Sequence, residues 1–476
     1  MGSSQRWQLM EKPGVDAALI NPFWEKRGGN IWLKVSGCLP PIGIGYLAAA
    51  LERDGFQITI IDANAEEMAN AEVVERLVRY SPRVVGISST SVNIQRVLKL
   101  AREVKEHLPQ SLVVLGGIHP TVDPDYVLAA PGVDLVFRGE AEKHFSRLLQ
   151  GEAWKSIPNL SYRNQGRIIH NDLVINTDPL DSLPMPAYHL LPVHLYRPSL
   201  GNYRRLPAMG IISSRGCPGK CTFCFVGVNG RRIRYRSPEN VIQEIALLRD
   251  HYGIQEISFY DDNFTTSKKR VEQFCWLLRE NRLDIAWTCA SRVDTVNKPL
   301  LRLMQQSGCH QISYGIESGD EQILKNIRKN IDLRAAKETI RLTQKCGIDA
   351  KIYLMIGNPG ETAATLQKTL DFALQSGASG FIISIATPFP GTELYRWAKK
   401  HNYLKSDNWE DYDTARGVME LPTISMKALR EFYVYAHRKL YLRPSLIGKR
   451  LLKIRSWQDL QRDFLAFRAI LGLYKD

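Results

Sequence analysis

Cys217, Cys221 and Cys224 stand in the run S-S-R-G-C-P-G-K-C-T-F-C-F, spaced C-x-x-x-C-x-x-C. Three thiolates on one short loop can hold three irons of a [4Fe–4S] cube. No fourth cysteine follows at short spacing. The fourth iron is then left to bind something other than the chain. Electron-carrying clusters normally take four protein thiolates, so an open iron points to chemistry at the metal. The competing ligand set is zinc, which wants four ligands, commonly two C-x-x-C pairs or Cys/His mixtures. The nearest histidines, His189, His194 and His251, complete no compact zinc spacing. Pro218, Gly219 and Lys220 describe an exposed turn rather than a core of buried thiols.

Such a loop has to be carried by a strand end. Residues 206–400 alternate short β-branched runs with helical periods. The candidate strands are Met209–Ser213, Glu256–Tyr260, Ile285–Ala290, Gln311–Gly315, Asp349–Met355 and Gly380–Ile385. Six β-α units predict a partial (β/α)6 TIM-type barrel with chemistry at the strand C-terminal ends. Residues 1–150 form an earlier α/β unit, with strands over Asp16–Asn21, Gln57–Asp62, Val84–Ser89, Leu112–Gly116 and Val133–Phe137. Amphipathic stretches between them predict a doubly wound parallel sheet of Rossmann or flavodoxin-like type. Residues 151–205 read as a connector, punctuated by prolines and holding a hairpin over Leu160–Ile169. Residues 401–476 read as a helical, basic region, through Leu429–Leu442 and Leu446–Leu473.

The chain has 476 residues and a net charge of +14. Part of the excess is local, with ten Lys/Arg against three Asp from Arg438 to Asp476. Arg443, Lys449, Arg450, Lys453 and Arg455 lie among Leu446, Ile447, Leu451 and Leu452, a pattern that suits a basic amphipathic helix. It predicts peripheral membrane or polyanion contact through the C-terminal region, or a helix packed on the barrel. No segment approaches the roughly 18–20 apolar residues of a membrane span. Five of the eight cysteines are scattered, which makes no disulfide framework and predicts a reducing, cytoplasmic setting.

The cysteine spacing resembles that of the radical S-adenosylmethionine (SAM) superfamily, in which the open iron chelates the amino and carboxylate groups of SAM. Further segments carry the same resemblance: Y-D-D-N-F at Tyr260–Phe264, C-A-S-R-V-D after the third strand, Y-G-I-E-S-G after the fourth, then M-I-G-N-P-G-E-T and T-P-F-P-G-T-E. It implies that Phe223, Tyr260, Asp261, Asp262, Ser291, Arg292, Glu317, Ile356 and Pro388 contact SAM, with Asp261 and Asp262 accepting from its ammonium. Singly, each has a plainer use, such as helix cap, ion pair or turn.

The first unit, from about Asp16 to Gln150, resembles the cobalamin-binding domain found ahead of many radical SAM domains. The segments that carry this are P-P-I-G-I-G-Y-L-A-A-A-L, G-I-S-S-T-S-V-N, L-G-G-I-H-P-T and R-G-E-A-E. The resemblance implies that Ser88, Ser89, Thr90, Gly116, Gly117, Ile118, Gly139 and Glu140 line the nucleotide tail or corrin rim. The D-x-H-x-x-G loop that supplies histidine to cobalt in other B12 proteins is absent, and the loop Pro22–Pro40 stands in its place. A cobalt without a histidine ligand is expected, covered by that loop, with Trp24 and Trp32 as cover or as ordinary packing aromatics. His119 is expected to be a hydrogen-bonded loop residue rather than a ligand.

Together these resemblances imply a cobalamin-dependent radical SAM methyltransferase that needs anaerobic conditions. A reduced cluster splits SAM into methionine and a 5′-deoxyadenosyl radical, which removes hydrogen from an unactivated carbon. The carbon radical takes methyl from methylcobalamin, and a second SAM remethylates the corrinoid. A cyclase, rearrangement or oxidation enzyme of the same architecture, without methyl transfer, is the alternative. A methylthiotransferase needs a second cluster on three N-terminal cysteines, and only Cys38 precedes Cys217. A corrinoid carrier has little use for the SAM segments. The implied partners are a small-molecule, lipid, tetrapyrrole or peptide substrate and an electron donor such as ferredoxin or flavodoxin, with nucleic acid not expected.

Overall fold

The structure is a computed structural model that describes residues 14–24, 37–199, 201–444, 447, 448, 461 and 464. In the first third the apolar runs become β1 (Ala17–Asn21), β2 (Ile58–Asp62), β3 (Val84–Ser89), β4 (Leu112–Gly117) and β5 (Leu135–Phe137). All pair in parallel, in the order β2-β1-β3-β4-β5. Ala17 to Ile20 are at most 2% exposed, so β1 is covered on both faces, as a parallel sheet between helices requires. The covering helices supply apolar stripes at helical spacing. On Ile94–His107 these are Ile94, Val97, Leu100, Ala101 and Val104. The strand order reverses between β1 and β3, the switch point at which open α/β sheets bind ligands beyond the strand ends.

The sheet continues past residue 150. β6 (Leu160–Asn164) and β7 (Arg167–His170) add antiparallel to β5. Gln165 and Gly166, with φ 50° and 77°, make the two-residue turn between them. The hairpin that the sequence places in a connector therefore covers the sheet edge that β5 would otherwise expose.

The second sheet holds β8 (Ala208–Ile211), β11 (Glu256–Phe259), β12 (Ala286–Ser291), β13 (Cys309–Glu317), β14 (Asp349–Ile356) and β15 (Gly380–Ile385), all parallel and side by side in chain order. That is the expected partial barrel. Its helices begin at side-chain caps. Ser237 Oγ accepts from Asn240 N at 3.2 Å, Pro238 occupies the first turn, and Gly253 ends the helix at φ 67°. A two-stranded ribbon, β9 (Ser214–Arg215) against β10 (Arg234–Tyr235), closes the base of the cysteine loop.

The helix Met426–Tyr441 packs Leu429, Tyr433, Ala436 and Leu440 inward, and it lies against β15. Residues 401–425 are not helical, apart from a short turn at Trp409–Asp411. Gly417, Pro422 and turn-capping side chains such as Asn408, which accepts from Glu410 N at 3.1 Å, account for that difference. Arg443 bonds the Leu440 and Leu374 carbonyls at 3.0 and 3.2 Å. Lys449, Arg450, Lys453 and Arg455, with most of the expected helix Leu446–Leu473, lie outside the described residues.

Candidate active site

β8 delivers the chain to Ser213, where the loop of three cysteines begins. Asp261, just after β11, holds this entry. Its carboxylate accepts from Ser213 N at 2.7 Å and from the hydroxyls of Ser213 and Ser214, each at 2.6 Å. Asp261 is 3% exposed. Its oxygens are engaged within the chain, so it positions the loop rather than waiting for an ammonium. Asp262 is the exposed member of the pair and lines a cavity. Enclosure by the walls, then the Asp261 charge, push its pKa up.

Gly216 turns the loop at φ 95°, where a Cβ would meet Arg232 O at 2.4 Å. Cys224 N donates to Cys221 O at 3.2 Å. The Cys224 contact, then Lys329 and Arg292, pull Cys221 down to about 6, while the Cys224 thiol is raised. A low-pKa thiol in a cationic, partly exposed loop is the chemistry of a metal ligand. The loop is also clamped from outside, since Thr222 N donates to Ile327 O at 3.1 Å and Leu394 N to Thr222 O at 2.9 Å. Phe223, expected at SAM, is half-buried and packs against the cluster that holds Leu324, Ile327 and Met355.

Lys329 is a residue the sequence did not single out. Its ammonium pairs with Glu317 Oε1 at 2.9 Å, and both residues are under 10% exposed. Burial opposes the Lys329 charge, but the Glu317 carboxylate raises its pKa. Glu317 follows a register shift in β13 and adopts φ 71°, which turns its carboxylate onto this pair. A Cβ on Gly315 would sit 2.5 Å from Glu317 Oε1 and 2.8 Å from Lys329 Nζ, so glycine makes the space. Arg292 closes the group. It donates to Asp294 at 3.0 and 2.7 Å and to the carbonyls of Lys329 and Asn330 at 3.4 and 3.3 Å. Asn263 Oδ1 fixes Arg292 N at 3.2 Å. The one cue in the sequence for Lys329 was that Glu317, at a strand end among small residues, needs a counter-charge. Ser291 and Ile356 are 5% and 1% exposed, and Pro388 is buried at the sixth strand end.

A cavity of about 450 Å³ opens between the strand ends of the two sheets. Asn21, Gly43, Ser88, Gly116, Gly117, Gly139 and Glu140 line it from the first sheet; Ser214, Arg215, Tyr260 and Asp262 line it from the second. It sits at the β1/β3 switch point. Nothing lies within 4 Å of a Cβ built on Gly43, and only Phe137 O, at 3.8 Å, lies near one on Gly116. Bare backbone therefore faces open space, as close approach of a large ligand requires. Gly117 differs, since a Cβ there would strike Ser89 O at 2.4 Å, so it serves strand packing.

Other expected corrinoid residues are placed elsewhere. Ser89 is 1% exposed, with its hydroxyl 3.5 Å from Gly116 O. Thr90 is exposed, and its N–H donates to Asn93 Oδ1 at 2.8 Å. Ile118 is 48% exposed and does not line the cavity. The Glu140 carboxylate, expected at the corrinoid, is committed to arginines: it pairs with Arg215 at 3.1 Å and also with Arg234. Glu142 joins Arg215 at 2.8 Å. The pattern R-G-E-A-E is thus an ion-pair latch between the segment after β5 and the β9–β10 ribbon. Breaking a buried pair from one side costs ~3–5 kcal/mol. Glu140→Ala should lower the midpoint of denaturant unfolding and speed limited proteolysis at the β9–β10 ribbon.

His119 is hydrogen-bonded as expected, with Nδ1 3.0 Å from Ser91 Oγ, but it is buried in the short helix Ile118–Val122 rather than in a loop. Burial lowers its pKa to about 4. Trp24 is 46% exposed; Trp32 and most of the loop Pro22–Pro40 lie outside the described residues.

Residues 31–149 match the family described as B12 binding domain, and residues 211–373 match the Radical SAM superfamily. The chain is 33% identical over 445 residues to the uncharacterized methyltransferase PH0819 of Pyrococcus horikoshii, covering 92% of this chain and 94% of that one. It is 29% identical to cytidylyl-2-hydroxyethylphosphonate methyltransferase of Streptomyces wedmorensis, over 77% and 79% of the two chains. It is 26% identical to the anaerobic magnesium-protoporphyrin IX monomethyl ester cyclase of Cereibacter sphaeroides, over 90% and 70%. Among solved structures, the radical SAM methyltransferase TsrM of Kitasatospora setae, with cobalamin and a [4Fe–4S] cluster bound, has a TM-score of 0.70 at 16% identity, over 96% and 99% of the chains. The cobalamin-dependent SAM radical enzyme OxsB, with aqua-cobalamin and SAM bound, has a TM-score of 0.73 at 17% identity, over 96% and 72%. At those identities the structural likeness bears on the fold.

Proposed function

Because the chain belongs to the cobalamin-dependent radical SAM enzymes, we propose that it is a methyltransferase that methylates an unactivated carbon of a small-molecule substrate. The observation that carries this reading is the shared cavity. Ser88 and Gly116 of the B12-binding unit face the same space as Ser214, Tyr260 and Asp262 of the radical SAM unit. A methyl donor on one wall and a radical source on the other can then act on one substrate carbon. The methyltransferase-named relative, similar along nearly the whole chain, supports it.

When bound, the cluster, SAM and cobalamin supply the electron relay, the hydrogen-abstracting group and the methyl group. The chain supplies position and charge. Cys217, Cys221 and Cys224 would hold three irons of the cluster, each thiolate taking one iron; among the described residues no three such side chains converge on a single ion. Arg292 and Lys329, held in place by Asp294 and Glu317, would set cations beside the cysteine loop for the SAM carboxylate, and Asp262, which faces the cavity, would serve its ammonium. Tyr260 walls the cavity above Gly210, where a Cβ would lie 2.1 Å from its ring. Its hydroxyl is held protonated by burial. Gly43 and Gly116 admit the corrinoid. A ferredoxin- or flavodoxin-type protein delivers the electron, and the setting is cytoplasmic and anaerobic. Among the described residues no helix is long and apolar enough to cross a membrane.

The test is anaerobic reconstitution, followed by mass spectrometry after adding SAM and reductant. Co-formation of 5′-deoxyadenosine and S-adenosylhomocysteine is expected. Deoxyadenosine with substrate turnover but no S-adenosylhomocysteine would favour the cyclase-type reading, which the magnesium-protoporphyrin relative supports. Gly116→Leu fills the cavity wall and should cut retained corrinoid by about tenfold, roughly 1.4 kcal/mol. Iron content should stay at the wild-type level, as read by absorbance and iron assay after desalting.

A further inference from the structure

In a closed β/α barrel the inward side chains are mostly Val, Ile and Leu, and they pack the bore solid. In the second sheet of this chain the bulky apolar side chains face the other way. Tyr314 bonds Thr343 of the helix Leu333–Lys345 at 2.9 Å, and Phe259 meets Phe274 of the helix Lys268–Glu280 edge-on, ring centroids 5.3 Å apart. Ile312, Ile352 and Phe381 share that outward face and are 0% exposed.

The alternate residues make the inward face, and strand register sets them in rows. Gly210, Ser258, Thr288 and Gln311 form the first row. Ala290, Ser313, Lys351 and Gly380 form the second, and Gly315, Tyr353 and Ile382 the third. Ile382 is the one large aliphatic side chain among them. Ser313, Tyr353 and, beyond them, Ser384 keep partial exposure. So small and polar a lining does not fill the bore.

The result is a well that is stopped at its lower end. Gln311 Nε2 donates to Gly201 O at 3.0 Å, and Lys351 Nζ to Asn202 Oδ1 at 2.6 Å. At the other end stand Glu317 and Tyr260, and Tyr260 also lines the shared cavity. From Ser313 to Glu317 the strand rises about 13 Å, deep enough for a group the size of one sugar. Hydroxyls along the well are only partly engaged. Thr288 Oγ1 donates to Ser258 Oγ at 3.3 Å, and Ser384 Oγ to Leu354 O at 3.3 Å. Each hydroxyl has one donor and two acceptor positions, so capacity is left over. Burial raises the pKa of Tyr353, and its hydroxyl keeps a proton to donate. An apolar occupant would cover these groups without pairing them, which is costly, whereas a hydroxyl-rich one would pair them.

We propose that this well is a substrate subsite for a hydroxyl-rich group, such as a sugar or the sugar of a nucleoside. The proposal rests on the reading that the reacting carbon lies in the shared cavity. The polar end of the substrate goes down the well, and the carbon to be methylated stays at the strand ends beside Tyr260. Ser313 and Tyr353 are the binding residues. Lipid and tetrapyrrole substrates do not match such a lining.

The test is calorimetry on the reconstituted, corrinoid-loaded protein with SAM present and no reductant. The probes are sugars, sugar phosphates and pyrimidine nucleosides, set against protoporphyrin IX and farnesol. At least one hydroxyl-bearing probe should bind. Tyr353→Phe and Ser313→Ala should each weaken that binding about tenfold, with iron content and unfolding midpoint at the wild-type level. Tighter binding of protoporphyrin IX or farnesol than of every hydroxyl-bearing probe would overturn the proposal. So would binding of no probe, or an affinity that neither substitution moves. Reductant and SAM with a deuterated methyl group are added afterwards. Failure of methyl transfer to the bound probe would then count against the proposed reaction and not against the well.

Discussion

Cys217→Ala should abolish the brown absorbance of the reconstituted protein and all SAM cleavage, while the first sheet still retains its corrinoid. Two thiolates cannot hold the cube in place of three. The two sites are built from different stretches of chain. Cys217 lies on the loop closed by β9 and β10, whereas Gly43, Ser88 and Gly116 belong to the β1–β4 side of the cavity. Iron assay, corrinoid absorbance and deoxyadenosine formation read the three outcomes separately. Cleavage that survived in this variant would remove the cluster assignment. Loss of corrinoid together with the cluster would mean that the two sites do not fold independently.

Lys329→Met should reduce SAM cleavage by about 100-fold or more, the scale set by removing a preorganised charged donor. It should also destabilise the protein by ~3–5 kcal/mol, because the Glu317 carboxylate is left buried without its partner. The two effects can be separated by a second substitution. Lys329→Met combined with Glu317→Gln removes both charges, so most of the stability should return, while cleavage stays low. Denaturant unfolding and single-turnover deoxyadenosine formation measure the pair as a double-mutant cycle. Full recovery of cleavage in the double variant would make the ion pair structural only.

The β-α rhythm and both strand sets were legible in the sequence, because parallel strands covered on two faces need unbroken β-branched runs such as Val84–Ser89. The cysteine loop was legible too, since its spacing is local. What could not be read was where charged side chains spend their charge. Asp261 and Asp262 are neighbours of the same type, yet one is locked to Ser213 and Ser214 while the other faces the cavity. Glu140 bonds to Arg215 and Arg234, 75 and 94 residues away in sequence. Lys329 matters because a register shift in β13 aims Glu317 at it. Such pairings are set by tertiary geometry and leave no periodic trace. Turn chemistry in 401–425 also outweighed the helical expectation for that region, and the hairpin of residues 160–170 was recognisable without the sheet edge it would cover.

The central claim is that one cavity joins a corrinoid to a radical SAM site. The most direct measurement gives the reconstituted, corrinoid-loaded protein SAM with a deuterated methyl group, then analyses the extracted corrinoid and the nucleoside products by mass spectrometry. The account predicts a stoichiometric corrinoid bearing the labelled methyl group, with 5′-deoxyadenosine and S-adenosylhomocysteine both formed. A corrinoid that binds but never acquires the label would contradict methyl transfer. A protein that assembles its cluster and binds no corrinoid would contradict the shared cavity itself.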